Sequence, residues 1–394
     1  MTTAPGQMPC PRSASGPSDD DLPCDDDLRY AAAIASLPVA WRKLRQLLDG
    51  RLPTDVWDLL ATGRHPADPA QALRQHIRVE LVQEVADACT SSGVSVALLG
   101  GSGYPASLSS DPEAPGVLFT LGDATAADQL PRVAVVGTRS ATAYGLGVAS
   151  ELGGALADAG VVVVSGLARG IDHAAHAGAL RSPATTPLVG VLGSAPDAAT
   201  GPTTAALRRA VAGRGYVVSE VAPGAAGARW NFAVRNRMMA AMAHVVVVVE
   251  AHRRSGAHYT VEAADQRNVA VGAVPGSIRS PASAGTNDML ADGVATPVRD
   301  VRDVLAAVGR AIEVDPAIRF PAVASPGTAR RQRGRPPSRL AATVLKTLHF
   351  DPIPLEEVAV RSGLTVGAAA LGLEQLAADA MAEEEQGWWS MPRG

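Results

Sequence analysis

The chain has 394 residues, which at roughly 100 to 200 residues per domain indicates two or three domains. Apolar residues make up 47% of it and aromatic residues only 4%, so a sizeable core must be built mainly from Ala, Val and Leu. No apolar run approaches the roughly 18 to 20 residues of a membrane span, and the three cysteines fit neither a metal-ligand spacing nor a disulfide framework. We expect no signal peptide, because no basic start precedes an apolar stretch, and therefore a cytoplasmic protein without membrane attachment.

The net charge of -4 is unevenly distributed along the chain. Residues 1–130 contain 9 basic and 17 acidic residues, whereas residues 131–310 contain 17 basic and 12 acidic ones, a net of +5. The middle of the chain is therefore the segment able to attract a polyanion. Lysine occurs only at Lys43 and Lys346, so arginine supplies every cation of the middle segment and a P-loop lysine is excluded there.

The N-terminal part is predicted to contain a tail and a small helical domain. Residues 1–27 are rich in Pro, Ser and Asp, a composition that cannot bury enough apolar surface to fold, and we expect a disordered acidic tail. Residues 28–92 have apolar side chains at helical spacing, with helices predicted around Val56–Leu60 and Ala70–Ala88.

Residues 93–312 show a different pattern, in which short β-branched runs alternate with Gly-containing turns and helical stretches. Continuous apolar runs are typical of strands buried on both faces, and their alternation with helices favours a doubly wound, mostly parallel sheet. We therefore predict an α/β domain, with its strand order left open. The predicted strands are Val94–Leu99, Val133–Val136, Val161–Val164, Leu188–Leu192, Tyr216–Ser219, Val245–Val249 and Val269–Val274.

The C-terminal part is predicted to contain a linker and a third domain. Residues 313–338 form a Pro/Arg-rich linker, which is either simply solvated or captures nucleic acid electrostatically. Residues 339–394 contain three helical stretches and a possible hairpin over Met381–Met391, the outline of a winged-helix-like domain. Its candidate recognition helix, Val366–Ala378, carries no cation, so we expect no sequence-specific reading of DNA.

Four elements of the α/β segment carry residues suited to phosphate. Parallel strands bring their carboxyl ends to one edge of a sheet, so we expect the turns that follow them to converge. Glycine lets a backbone approach a ligand, a helix start offers free N–H groups, and arginine is a forked cation that matches phosphate. The spacing matches neither the dinucleotide fingerprint nor the P-loop, so neither ligand is expected. The candidate residues are Gly137, Thr138 and Arg139 in the first element, Ser165, Gly166 and Arg169 in the second, Asn231, Phe232, Arg235, Asn236 and Arg237 in the third, and Ser255, Gly256 and Thr260 in the fourth.

Each element also has a purely structural interpretation. Glycines at strand–helix turns can serve packing alone, and the arginines of the third element could pair with Glu220 or Glu250. Asp172 is predicted to cap the helix after the second turn. His173 and His176 have a spacing compatible with a metal, but no third ligand is nearby and we expect none.

The order of these motifs resembles the DNA-processing protein A family, also called DprA or Smf, from about residue 93 to 307. The motifs are VAVVGTRSATAYG, VVVVSGLARGIDHAAHAGAL, NFAVRNRMMAAMAH and VVVVVEAHRRSGAHYT. The resemblance implies an extended Rossmann-like domain that binds single-stranded DNA (ssDNA) cooperatively, forms a homodimer and loads RecA during natural transformation, without catalysis or a cofactor. It also implies that the first two candidate elements are the family's glycine-rich turns, that the third lines the DNA groove with Phe232 stacking on a base, and that the fourth is the turn after the later strand.

The sequence departs from the family pattern in three places. Residues 193–201 replace a usual Gly-Leu-Asp and Tyr-Pro segment, the Pro before the Arg-Asn-Arg triplet is absent, and the turn after Glu250 ends in Ala-His-Tyr. A divergent paralogue with changed partners therefore remains an alternative.

Two other functions are compatible with the same fold class. A phosphoribohydrolase of nucleoside monophosphates would need a carboxylate at the mouth of its site, such as Glu220 or Glu250. A sensor would bind a small nucleotide without chemistry.

Overall fold

The computed structural model describes residues 25–225, 230–312, 339–348, 352–378, 381–385 and 388–391. These residues fall into two compact units, one up to Ile312 and the other from Arg339. The predicted linker 313–338 and residues 1–24 of the predicted tail lie outside the described residues. The proposed domain boundaries stay predictions.

The N-terminal segment contains four α-helices and one short 3-10 turn in its described part. The helices are α1 (Asp25–Ala35), α2 (Trp41–Leu48), α3 (Pro53–Ala61) and α4 (Val79–Ser92). The expectation that residues 25–27 belong to a disordered tail was wrong, because they form the first turn of α1, where acidic side chains are favoured by the helix dipole. The helix predicted from residue 70 begins only at Val79, because the Asp68 carboxylate accepts the N–H groups of Ala72 and Leu73 and holds a turn there.

A nine-stranded sheet forms the centre of the first unit, in the order β1-β2-β6-β5-β4-β3-β7-β8-β9. Its strands are β1 (Ser95–Leu98), β2 (Val117–Gly122), β3 (Arg132–Val136), β4 (Val162–Ser165), β5 (Leu188–Leu192), β6 (Tyr216–Ser219), β7 (Val245–Val248), β8 (Ala270–Ala273) and β9 (Thr296–Pro297). Strands β3 to β9 pair in parallel, whereas β1 and β2 run antiparallel at one edge. The prediction of a mostly parallel α/β sheet is confirmed.

Helices cover both faces of this sheet. They are α5 (Ala106–Ser109), α6 (Ala143–Asp158), α7 (Ile171–Arg181), α8 (Pro202–Arg214), α9 (Asn231–Ala241), α10 (Ala257–Asp265), α11 (Ala284–Ala291) and α12 (Val301–Ile312). Successive side chains of a strand point to opposite faces, so Val133 and Val135 pack with α6, α7, α8 and α12, while Ala134 and Val136 pack with α9, α10 and α11. This arrangement confirms a doubly wound sheet with a core of small aliphatic residues.

The N-terminal helices pack directly on the antiparallel edge of the sheet. Val117 and Phe119 of β2 contribute to the same apolar cluster as Ile34, Leu47 and Trp57. The helical segment and the sheet therefore share a core within one compact unit.

The second unit contains three helices and a small sheet in its described part. These are α13 (Arg339–Leu345), β10 (Ile353–Pro354), α14 (Leu355–Ser362), α15 (Val366–Ala378), β11 (Glu383–Glu385) and β12 (Trp388–Ser390). The strands pair antiparallel in the order β10-β12-β11, around a core that includes Val344, Leu373 and Leu376. The classification of this unit as a winged-helix domain stays a prediction.

Among the described residues, no helix is long and apolar enough to cross a membrane.

Candidate nucleic-acid interface

The switch point of the sheet lies between β3 and β7, where the chain changes the direction in which it adds strands. Such crevices at the carboxyl ends of strands are common ligand sites. Here the start of α6 is already occupied by a carboxylate of the protein itself. Glu250, which is buried, accepts the Thr142 N–H at 2.9 Å and the Thr142 hydroxyl at 2.6 Å. Its backbone oxygen accepts the Thr138 N–H at 2.8 Å, so this crevice is closed by internal contacts.

The turns after β3 and β4 are in direct contact. The Ile171 N–H donates to the Thr138 oxygen at 3.3 Å, and Gly170 has a φ of +93°, a conformation that favours glycine. A Cβ at Gly170 would lie 2.8 Å from the Cα of Arg139. The close approach places the neighbouring Arg139 and Arg169 on adjacent turns, and both side chains are exposed. This pair of arginines agrees with the sequence-based expectation of a basic edge.

The beginning of α9 joins the same edge through an aromatic ring. The Arg139 guanidinium lies over the Phe232 ring, 5.0 Å from its centroid. A Cβ at Gly193, directly after β5, would come within 2.9 Å of the Phe232 Cα, so glycine allows α9 to approach the sheet. Phe232 is 37% exposed and Trp230, just before the helix, is 54% exposed. Exposed rings beside a cation are suited to stack on nucleobases.

The Arg-Asn-Arg triplet of α9 does not face solvent, which corrects the expectation that Arg235, Asn236 and Arg237 present their polar groups in a groove. All three side chains are buried. Arg237 donates to both carboxylate oxygens of Glu220 at 2.6 Å, and Asn236 donates to the Gly256 oxygen at 3.0 Å. Arg237 therefore has a structural role as the ion-pair partner of Glu220, which is the alternative that the sequence left open.

Arg235 of the third element is buried against the turn of the second element. It donates to the Val191 oxygen and lies against Gly166 together with the Asp172 carboxylate, so any side chain at position 166 would overlap both groups. Burial lowers the pKa of the Arg235 guanidinium and raises the pKa of the Asp172 carboxyl, and the opposite charge of each counteracts the shift of the other. Asp172 is not the helix cap that we expected, because Gly170 holds that position.

The remaining candidates divide into structural and exposed groups. Ser165 is buried and donates its hydroxyl to the Val135 oxygen at 2.6 Å, and Thr260 is fully buried on α10. Ser255 accepts the Ala257 N–H at 3.1 Å, which stabilises the turn that ends in the exposed Gly256. The adjacent Arg253 pairs with Asp288 at 2.9 Å, and Arg254 is exposed. Asn231 is half-buried.

Sequence reasoning missed the contact between the N-terminal helices and this site. Trp41 of α2 lies under the guanidinium of Arg237, 4.1 Å from its ring centroid, and under that of Arg42 at 4.6 Å. No local signal links Trp41 to a residue almost 200 positions away in the chain. Asn236 and Thr260 likewise gave no sign of being buried, because Asn and Thr are more often exposed than buried. The His176 Nε2–H donates to the Val189 oxygen, 3.1 Å away, and the described residues contain no group of three metal-ligating side chains.

These features define a doubly wound α/β protein with exposed arginines and an aromatic ring at one edge of its sheet. The chain belongs to the DNA recombination-mediator protein A family, whose model matches residues 95–309. The resemblance drawn from the motifs is thereby confirmed.

Individual relatives agree with this assignment. The chain is 38% identical over 290 residues to a putative DNA processing protein DprA of Mycobacterium tuberculosis, covering 71% of this chain and 69% of the relative. It is 36% identical over 203 residues to the DNA processing protein DprA of Streptococcus pneumoniae, covering 52% and 70%. The crystal structure of DprA from Streptococcus pneumoniae superimposes with a TM-score of 0.58 and 28% identity, covering 72% of this chain and 98% of that chain.

Proposed function

We propose that this protein binds ssDNA along the carboxyl edge of its sheet and acts in DNA recombination. The family and the names of its relatives support DNA as the ligand class. The observation that carries the proposal is the exposed contact between Arg139 and Phe232, which joins two turns at one edge. It places a phosphate-binding cation beside a ring that can stack on a base.

The division between exposed and buried candidates refines the proposed site. Arg139, Arg169 and Arg254 provide cations for phosphate, and Phe232 provides the stacking surface. The buried candidates shape the edge from below and do not contact the strand. They are Thr138, Ser165, Gly166, Arg235, Asn236, Arg237 and Thr260.

Single strands suit this edge better than duplexes. An unpaired base exposes its π-face to an aromatic side chain, whereas a duplex keeps that face stacked inside the helix. Contacts to phosphate and to ring faces carry little sequence information, so the bound strand is held with little regard to its bases.

A catalytic role is less well supported by the geometry. Glu250 is held by Thr142 and Glu220 by Arg237, so both carboxylates offered for a phosphoribohydrolase are engaged in internal contacts. The protein is thus proposed to act by binding alone. Homodimer formation and delivery of the bound strand to RecA belong to the same proposal and derive from the family resemblance.

A gel-shift assay with ssDNA and dsDNA of equal length tests the proposal. Affinity that depends on phosphate contacts falls steeply between about 50 and 200 mM salt. We expect tight, salt-sensitive binding of ssDNA and weaker binding of dsDNA. Release of free base from nucleoside monophosphates, without ssDNA binding, would instead support a hydrolase.

A further inference from the structure

The loop that carries Arg139 is attached at both of its ends to one residue, Glu250. At the first end, the Thr138 N–H donates to the Glu250 backbone oxygen at 2.8 Å. At the second end, the Thr142 N–H donates to one oxygen of the Glu250 carboxylate at 2.9 Å, and the Thr142 hydroxyl donates to the other at 2.6 Å. Arg139 lies between these two attachment points with its side chain exposed. The backbone that carries Arg139 is therefore held by Glu250.

Further hydrogen bonds restrict the loop between its ends. The Ser140 N–H donates to the Thr138 hydroxyl at 3.2 Å, and the Thr138 backbone oxygen accepts the Ile171 N–H at 3.3 Å. The Thr142 hydroxyl also accepts the Gly145 N–H at 3.2 Å and so caps α6. This hydroxyl therefore joins the end of the loop both to the helix and to the carboxylate.

Two glycines leave the space that Glu250 occupies. A Cβ at Gly137 would lie 2.7 Å from the Glu250 backbone oxygen, and a Cβ at Gly145 would overlap the Glu250 carboxylate. A larger residue at either position would have to displace Glu250 or the loop. The carboxylate therefore has one defined place beside the start of α6.

Glu250 itself cannot contact a bound strand, because only 1% of its surface is exposed. Any effect of Glu250 on ssDNA binding must therefore pass through the loop. The Arg139 guanidinium already lies over the Phe232 ring, 5.0 Å from its centroid. An arginine that is held in its binding position loses less conformational freedom when the strand arrives, so affinity is higher than for a mobile loop.

We propose that Glu250 is a positioning residue for ssDNA binding: its carboxylate holds the loop from Thr138 to Thr142 so that Arg139 stays beside Phe232 before a strand binds. This inference rests on the proposed function. It gives Glu250 a role in binding without contact to DNA and without chemistry.

The test removes the Thr142 hydroxyl and leaves the carboxylate in place. Thr142→Val has almost the same shape but cannot donate to Glu250, whereas Thr142→Ser keeps the hydroxyl. Thr365→Val is the matched control, because it removes an exposed hydroxyl that accepts the Ala368 N–H at the start of α15. Each substitution is made in the full-length protein, with and without Arg139→Ala, and ssDNA affinity is measured by fluorescence anisotropy.

A positioning role predicts that Thr142→Val weakens ssDNA binding at least about fivefold, because the strand must then order the loop. Thr142→Ser and Thr365→Val should leave the affinity nearly unchanged. In the Arg139→Ala background, Thr142→Val should cost less than about twofold, because the loop has lost the side chain that it positions. Titrations are carried out at low salt, where the weakened complexes still form.

Two results would overturn the proposal. The first is an unchanged affinity in the folded Thr142→Val protein. The second is an equal loss with and without Arg139, which is the result expected if Thr142→Val only loosens the fold.

Glu250→Gln serves if Thr142→Val does not fold. Its amide oxygen can still accept the Thr142 N–H, but no second oxygen remains for the hydroxyl. We expect a smaller loss of ssDNA affinity that again disappears in the Arg139→Ala background. An equal loss in both backgrounds, or none in either, would overturn the proposal here as well.

Failure of the proposed function is distinguishable from failure of this inference. If the wild-type protein binds no ssDNA, both the proposed function and the positioning role are wrong. If it binds ssDNA and the effect of Thr142→Val is independent of Arg139, only the positioning role is wrong.

Discussion

Arg139 and Arg235 show how much the environment of an arginine decides its role. Arg139 is exposed over Phe232, whereas Arg235 is buried beside Asp172 with its donors directed into the protein. Guanidinium groups bind phosphate only where the strand can reach them. We therefore expect the exposed arginines to determine affinity and the buried one to shape the edge.

Arg139→Ala is expected to weaken ssDNA binding about ten- to a hundredfold, because a hydrogen bond to a charged group contributes roughly 1.5 to 3 kcal/mol. Arg64→Ala is the matched control, since Arg64 is exposed outside the sheet, after α3. Fluorescence anisotropy with labelled ssDNA measures both. Unchanged affinity in a folded Arg139→Ala protein would contradict the assignment of this turn.

Phe232 is expected to make binding nearly independent of base identity, because every base has a π-face. Oligo-dT, oligo-dC and a mixed sequence of equal length should bind with affinities within about a hundredfold. Competition titrations compare the three directly. A larger spread would indicate that base edges are read.

His176 gives the fold a pH dependence of its own. The ring is buried at the Val189 oxygen, and desolvation lowers its pKa to about 4, from 6.5 in the unfolded chain. Because the unfolded state binds the proton more readily, stability is present above pH 6.5 and is lost as pH falls toward 4.

His176→Gln removes the titrating group while its amide can still donate to the Val189 oxygen. The free energy of unfolding, measured by urea denaturation from pH 7 to pH 4, should fall more steeply in the wild type. The difference should approach about 1.4 kcal/mol per pH unit within that window. Parallel profiles would show that His176 does not titrate in this way.

At the level of elements, the sequence predicted the buried parallel strands well. Runs such as Val161–Val164 are apolar on both faces of the strand, so their composition alone predicts that both faces are buried. Strand β2 was missed although Val117–Leu121 is a mainly apolar run between two glycines. Its antiparallel direction depends on partners that local spacing does not specify. The sequence left the place of the Arg-Asn-Arg triplet open between a groove and a buried pairing, because Glu220 neutralises Arg237 only once the end of β6 and α9 meet.

The α9 helix is linked to the N-terminal helices through a chain of charged and aromatic contacts. Glu220 binds Arg237, which lies over Trp41, which also lies under Arg42. Arg42 pairs with Glu113. These contacts link the middle of α9 to α2.

Arg237→Ala is expected to destabilise the first unit by about 3 to 5 kcal/mol, because it leaves the largely buried Glu220 carboxylate without its partner. Arg253→Ala, which removes an exposed ion pair with Asp288, should cost much less. Urea denaturation measures both variants. Restoration of most of the lost stability by Glu220→Gln in the Arg237→Ala background would identify the unpaired charge as the cause.

At the scale of the whole molecule, the two units differ in the sign of their exposed charge. The described part of the second unit carries acidic residues on α14, α15 and β11, with Glu357 paired to Arg361 on α14 and Glu383 and Glu384 exposed on β11. Phosphate is repelled by such a surface. The basic edge lies instead on the first unit, so nucleic-acid binding is expected to reside there.

Deletion of residues 339–394 is therefore expected to leave ssDNA binding intact and dsDNA affinity unchanged within about threefold. A recognition helix needs Arg, Lys, Asn or Gln to reach base edges and phosphates, whereas α15 presents Glu374 and Gln375 as its only long polar side chains. Its Leu373 and Leu376 are buried in the core of the unit, and Leu371 is exposed. Gel-shift titrations of the full chain, the truncated chain and a fragment covering residues 330–394 measure the three affinities. A tight, sequence-selective dsDNA complex of that fragment would show that α15 reads DNA. The conclusion drawn from the acidic charge of the second unit, that it does not bind DNA, would then be wrong.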